Sequence, residues 1–154
     1  MVGDGRVGSR GVVKPGHRFL EHMSDVYAEA WGRTLEEAYR EAALALYETL
    51  TDPSKVEAKT ERRVEARGED LQELLYDWLE RLIILFDTEG FLAREIEVEE
   101  VEETAEGWRL KATLRGEPYT PGKHPSGTHV KGVTYHLMEV EDGDPKTLRF
   151  ILDI

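Results

Sequence analysis

The spacing of apolar residues changes period several times along the chain, and each change marks an element. His17 to His22 reads as a short strand. Asp25 to Gly32 has a period of two, with Val26, Ala28 and Ala30 on one face and Asp25, Tyr27, Glu29 and Trp31 on the other. Only Met23-Ser24 lies between them, so the chain must reverse or kink there. From Thr34 the period lengthens. Thr34-Leu35-Glu36-Glu37 is a capping box: the Thr34 hydroxyl can accept from the Glu37 N–H, and the Glu37 carboxylate can return the bond. Leu35, Ala38, Tyr39, Ala42, Ala43, Leu46 and Leu50 then recur at helical spacing until Pro53 stops the helix near Thr51-Asp52. The small alanines suit close packing on a sheet.

Val56 to Arg67 alternates again, a strand with one charged side, and Gly68 turns the chain. Asp70 with Glu73 supplies a second capping box. Leu71, Leu74, Leu75, Trp78, Leu79, Leu82, Ile83 and Phe86 form an amphipathic stripe, which is a core face rather than a cofactor pocket. Ala93 to Val101 and Trp108 to Arg115 show acids outward on one strand and bases on the other, so they pair as a hairpin. Gly116 to Gly127 holds three prolines and three glycines. It is expected to be an irregular loop, long enough for a lid or mobile segment. His129 to Val140 and Thr147 to Ile154 close the chain as a second hairpin across Asp142-Gly143-Asp144-Pro145. The order strand, strand, helix, strand, helix, four strands, with segregated helices and a mostly antiparallel sheet, predicts an α+β fold rather than a doubly wound one.

Composition adds exclusions. The 154 residues fit one domain, with residues 1–16 as a flexible tail and 17–154 as the folded unit. The tail lacks the apolar centre of a secretory signal. No apolar run approaches the ~20 residues of a membrane helix. Cysteine is absent, which removes disulfides and thiolate chemistry and suits the cytoplasm. The net charge is -12. Residues 1–18 carry Arg6, Arg10, Lys14 and Arg18 against Asp4, so the remainder is more acidic still. Such a body repels phosphate, which argues against autonomous nucleic-acid binding and for a cation or a basic protein partner.

Phosphate-cradling glycine loops, dinucleotide fingerprints, paired-His zinc helices and nucleophile-elbow serines are all missing from the sequence. What remains is a set of carboxylates. Asp25 sits at the early reversal, and Asp153 and Ile154 end the sequence on two adjacent carboxylates. If these segments meet, Asp25, Asp153 and the Ile154 carboxylate form a hard-cation site, with calcium the best match to all-oxygen ligands. His22 would replace an oxygen if the metal were zinc or manganese. An Asp near a turn is more often simply a turn or cap residue. In Lys131-Gly132-Val133-Thr134-Tyr135-His136, alternation places Lys131, Val133 and Tyr135 on one strand face and Gly132, Thr134 and His136 on the other. A surface lysine and a half-buried, hydrogen-bonded histidine are the plainer readings of Lys131 and His136.

His22-Met23-Ser24-Asp25-Val26, Trp31-Gly32, Thr34-Leu35-Glu36-Glu37-Ala38, Trp78-Leu79, Gly127-Thr128-His129-Val130-Lys131-Gly132-Val133-Thr134-Tyr135-His136 and the final Asp153-Ile154 together resemble the archease family, from about His17 to the last residue. Two departures stand out. The usual His-Thr-Ala-Asp is His22-Met23-Ser24-Asp25, so a role for that threonine hydroxyl does not carry over to Met23. The usual Ala after Lys131 is Gly132, which leaves Lys131 and Thr134 in place. The resemblance implies the archease fold, a mixed, mostly antiparallel, barrel-like sheet packed against two α-helices, and a divalent ion, calcium first, at Asp25, Asp153 and Ile154. It also implies a non-enzymatic accessory role: activation of the GTP-dependent RtcB-type RNA ligase of tRNA splicing, through ligase guanylylation and repeated turnover. Lys131, with His22 and His136, would face the partner. Two alternatives are a chaperone-like modulator of a tRNA methyltransferase, an older assignment for the family, and a metal-dependent hydrolase using His22, Asp25, His136 and Asp153.

Overall fold

A computed structural model of the chain describes residues 13–22 and 24–154. Among these, the elements in chain order are β1 (Gly16–Leu20), β2 (Val26–Gly32), α1 (Leu35–Leu50), β3 (Thr60–Gly68), α2 (Leu71–Glu89), β4 (Phe91–Thr104), β5 (Gly107–Pro118), β6 (Gly132–Asp142) and β7 (Lys146–Asp153). The α+β class with two helices against antiparallel strands is the one observed. The strands divide into two sheets, ordered β1-β2-β7-β6 and β3-β5-β4. The pairing of β2 with β7 joins the beginning of the fold to its end. Of the expected tail, residues 1–12 lie outside the described residues. Its last positions belong to the fold: Gly16 opens β1, and the Lys14 carbonyl accepts from Trp31 Nε1 at 2.8 Å.

Both helices start where the capping residues predict. Thr34 Oγ1 accepts from the Glu37 N–H at 3.1 Å, and Asp70 Oδ1 from the Glu73 N–H at 2.8 Å. Glu37 does not return its bond to Thr34. Its carboxylate takes the Arg33 N–H at 2.8 Å and the Arg33 guanidinium at 2.9 Å, one residue further out. α1 packs against β1, β2 and β7 in one sheet and β4 in the other. It therefore buries most of its circumference, including Ala38, Tyr39, Ala42, Ala43, Ala45, Leu46 and Tyr47. The alanines let it approach Ala28 and Ala30 of β2, which are also fully buried. Two polar contacts lock α1 to α2. The buried Trp78 Nε1 donates to the Tyr39 carbonyl at 2.9 Å, and the Tyr39 hydroxyl to the Leu71 carbonyl at 2.6 Å.

Three expectations are corrected. The strand anticipated from Val56 begins at Thr60, because Asp52 caps a 3-10 turn over Pro53–Lys55 that delays it. The alternation expected through His129–Val140 starts at Gly132 and breaks after Thr134. The loop expected from Gly116 begins only after Pro118, and its far end is hydrogen-bonded to α1. The end of α1 leaves carbonyls without helical partners. Two of them accept from the loop, Leu50 from the Gly127 N–H at 3.0 Å and Thr49 from the Thr128 N–H at 2.9 Å. The approach is so close that a Cβ on Gly127 would lie 2.4 Å from the Thr49 oxygen. Within the loop, buried His124 accepts the Thr120 N–H at Nδ1, 2.8 Å away. Nε2 therefore carries the proton and donates to Glu117 at 2.9 Å.

Candidate functional site

β2 and β7 pair in register from Val26 opposite Leu152 to Gly32 opposite Lys146. Asp25 immediately precedes the first of these pairs, and Asp153 immediately follows it. β6 sets Gly132 against Asp153 on the other side. The Lys131 N–H donates to the Asp153 carbonyl at 2.7 Å, and Ile154 follows with its side chain against the core. The two carboxylates singled out from the sequence, with Lys131 and Ile154, therefore share one edge of the four-stranded sheet.

Face assignment follows from His17. It pairs with Ala30 and reaches Glu41 and Glu48 of α1, so that side of the sheet looks toward the helix. By alternation Asp25, Tyr27 and Glu29, with Arg149, Ile151 and Asp153, lie on the side turned away from α1. The His22 Nδ1 is 3.4 Å from the Asp25 carboxylate. Its ring meets Tyr27 edge-on at 6.1 Å between centroids and the exposed His136 at 6.4 Å. Gly132 leaves the edge open, because a Cβ there would meet nothing within 4 Å.

A charge ladder on the same face holds this register. Arg18, Glu29, Arg149 and Glu139 are successive partners across β1, β2, β7 and β6. Glu29 is fully buried and accepts from Arg18 Nε at 2.9 Å and Arg149 Nε at 2.7 Å. Arg149 continues to Glu139 at 2.6 Å. The hydrogen bond to Glu29, ahead of every other influence, holds the Arg149 guanidinium well above its ordinary pKa. One residue row separates the ladder from the carboxylates, made of Tyr27, Ile151 and Thr134.

The donors at the edge are carboxylate and main-chain oxygens, which is hard-cation chemistry. Among the described residues no group of three or more His, Asp or Glu side chains is close enough to hold a metal ion. An ion held by Asp25 and Asp153 would need main-chain oxygens and solvent to complete its shell. Tyr27, Thr134 and the Glu29 ladder were not singled out in the sequence. The mid-strand charges of Glu29 and Arg149 were a signal, but only the register of β2 on β7 makes them partners.

The chain is an α+β domain whose second strand pairs with its last. Residues 17–154 match the Archease protein family. A protein archease of Methanopyrus kandleri is 41% identical over 136 residues, covering 88% of this chain and 96% of that one. One from Pyrococcus abyssi is 43% identical over 121 residues, covering 79% and 84%. The solution structure of Methanobacterium thermoautotrophicum protein 1598 superposes with a TM-score of 0.76 at 39% identity, covering 90% of this chain and 99% of that one. The chain belongs to the archease family. No helix among the described residues is long and apolar enough to cross a membrane.

Proposed function

We propose that the protein is a non-catalytic cytoplasmic accessory factor that activates the GTP-dependent RtcB-type RNA ligase of tRNA splicing, promoting ligase guanylylation and repeated turnover. Its family membership supports this reading. The observation that carries it is the convergence of Asp25, Asp153 and Lys131 on one exposed sheet edge. A guanylylation site must manage a triphosphate and a divalent ion together, and an ammonium beside carboxylates carries charges of both signs for that task. Asp25, Asp153 and the main-chain oxygen of Ile154 would hold the divalent ion, calcium first. His22 and His136 would flank the partner contact. A strongly acidic body suits a protein whose route to RNA is through a basic partner rather than its own surface.

The test is ligase guanylylation with wild-type protein, Asp25→Ala and Lys131→Ala. Lys131 is a clean probe, because its backbone bond to Asp153 survives loss of the side chain. Loss of stimulation in both variants is the expected result, and wild-type stimulation by both would remove this edge from the mechanism. Metal analysis of wild-type and Asp153→Ala protein tests the ion separately: a stoichiometric ion lost in the variant is expected, and equal content in both overturns the assignment.

A further inference from the structure

The break in β6 builds a feature that the carboxylate edge does not explain. Between the Thr134–Ile151 and Glu139–Arg149 pairs, Phe150 of β7 stands alone against Tyr135, His136, Leu137 and Met138. The excess chain loops outward from β6, which is an edge strand. Leu137 has φ 57, a left-handed backbone that a leucine adopts only at a cost. Tyr135 and Leu137 are 54% and 43% exposed, among the few large apolar side chains left in solvent. Tyr135 is not loose, because its ring stacks on Tyr76 of α2 at 4.3 Å between centroids and 11° between planes.

The surroundings are acidic. A cleft beside the bulge is lined by Asp70, Gln72, Glu73, Tyr135 and Met138. Burial first, and then Glu73, Tyr76, Asp70 and Glu80, raise the Tyr135 hydroxyl above its ordinary pKa. The cleft also borders the start of α2, whose dipole amounts to about half a positive charge. Two full carboxylate charges outweigh that, so the cleft favours a cation over an anion.

We propose that the β6 bulge is a docking knuckle for the protein partner that engages the Asp25–Asp153 edge, and that the matching partner surface carries an apolar socket beside an arginine or lysine. This rests on the accessory reading above. Three observations choose this occupant. A rigid, stacked aromatic beside an exposed leucine is the kind of anchor that dominates protein interfaces. The acidic rim selects a basic neighbour. His136, inside the bulge, lies against His22 at the carboxylate edge, so one partner can cover both features. A second copy of the chain is a poor occupant. Two bodies of charge -12 repel, and the bulge interrupts the strand edge through which copies could pair.

The experiment is calorimetric titration of the purified RNA ligase with wild-type protein, Tyr135→Ala, Leu137→Gly and Glu73→Gln, with Asp25→Ala as reference. Leu137→Gly removes the side chain while favouring the same backbone, so its melting temperature should equal or exceed wild type. Tyr135→Ala and Leu137→Gly should each weaken ligase binding about tenfold, and Glu73→Gln should flatten its salt dependence. Wild-type affinity and salt dependence in all three would overturn the knuckle while leaving the accessory role standing. No binding or stimulation by wild-type protein would defeat the accessory role, and the knuckle with it. A wild-type dimer that dissociates on Leu137→Gly would show that the occupant is a second copy and overturn the assignment to the ligase.

Discussion

Replacing Glu29 with glutamine tests whether the ladder holds β2 on β7, the pairing that brings Asp25 to Asp153. The shape of the side chain is kept and its charge removed. Glu29 is buried and accepts from two guanidinium groups, at 2.9 Å from Arg18 and 2.7 Å from Arg149. A hydrogen bond to a charged group is worth roughly 1 kcal/mol more than a neutral one. The two contributions are not equal. The Arg18 side chain is 41% exposed, so solvent screens much of its share, whereas Arg149 is 28% exposed and keeps most of its own. The expected loss is about 1–2 kcal/mol. For a chain of this size that lowers the melting temperature by about 3–6 °C. Calorimetry measures it directly. A cycle of Glu29→Leu, Arg149→Leu and the double variant separates pairing from burial. Glu29→Leu alone leaves Arg149 without its main partner, so the double variant should be less destabilised than the two single losses added together. A shift within error for Glu29→Gln, or strict additivity in the cycle, would refute the ladder as the element that fixes the register.

Three further outcomes follow from groups elsewhere in the fold. The Tyr47 hydroxyl is buried without a hydrogen-bond partner among the described residues. Tyr47→Phe should therefore raise stability by about 1 kcal/mol, and a lower melting temperature would contradict this. The pKa of His17 is raised, chiefly by its bond to Glu41 and then by Glu48, against the opposing effect of burial. Its contribution is complete below the ordinary histidine value of about 6.5. It is lost as pH rises through the higher folded value. The melting-temperature gap between wild type and His17→Gln should shrink from mildly acidic to alkaline pH, and a constant gap would sink the reading. The Glu117 carboxylate is lowered to about 2, first by the Glu57 N–H and then by Lys123, with His124 adding to it. Its contribution is complete above the ordinary glutamate range and fades as pH falls toward about 2. Glu117→Gln should loosen the loop after Pro118, seen as faster hydrogen exchange at the Gly127 and Thr128 amides at neutral pH, whereas unchanged protection would mean the backbone bonds to Leu50 and Thr49 suffice.

What the sequence displayed and what it hid divide along the range of the interactions. Thr34 and Asp70 are legible as caps because each partner lies three residues away, and the helix starts follow. Period-two stretches such as Val26–Gly32 show faces because alternation is local. Pairing across the whole chain carries no such signature. Glu29 and Arg149 are 120 residues apart, and nothing in either neighbourhood names the other. The candidate carboxylates stand out in the sequence because both are positional, Asp25 at a reversal and Asp153 in the last segment. The loop after Pro118 is hard to read for the opposite reason. Its prolines and glycines report only that regular structure is absent, while what fixes it, the spare carbonyls at the end of α1 and the His124–Glu117 bond, comes from elsewhere. The bulge is the clearest case. Gly132 inside a strand pattern hints at a bulge or a close backbone approach, but the place and length of the extra residues emerge only when β6 is counted against β7. A leucine in left-handed backbone works against local propensity, and it persists where the surrounding pairs over-determine it. Stability alone would favour glycine at 137. The side chain kept there at that cost lies beside the edge proposed above as the partner contact, which is why its removal should weaken binding without weakening the fold.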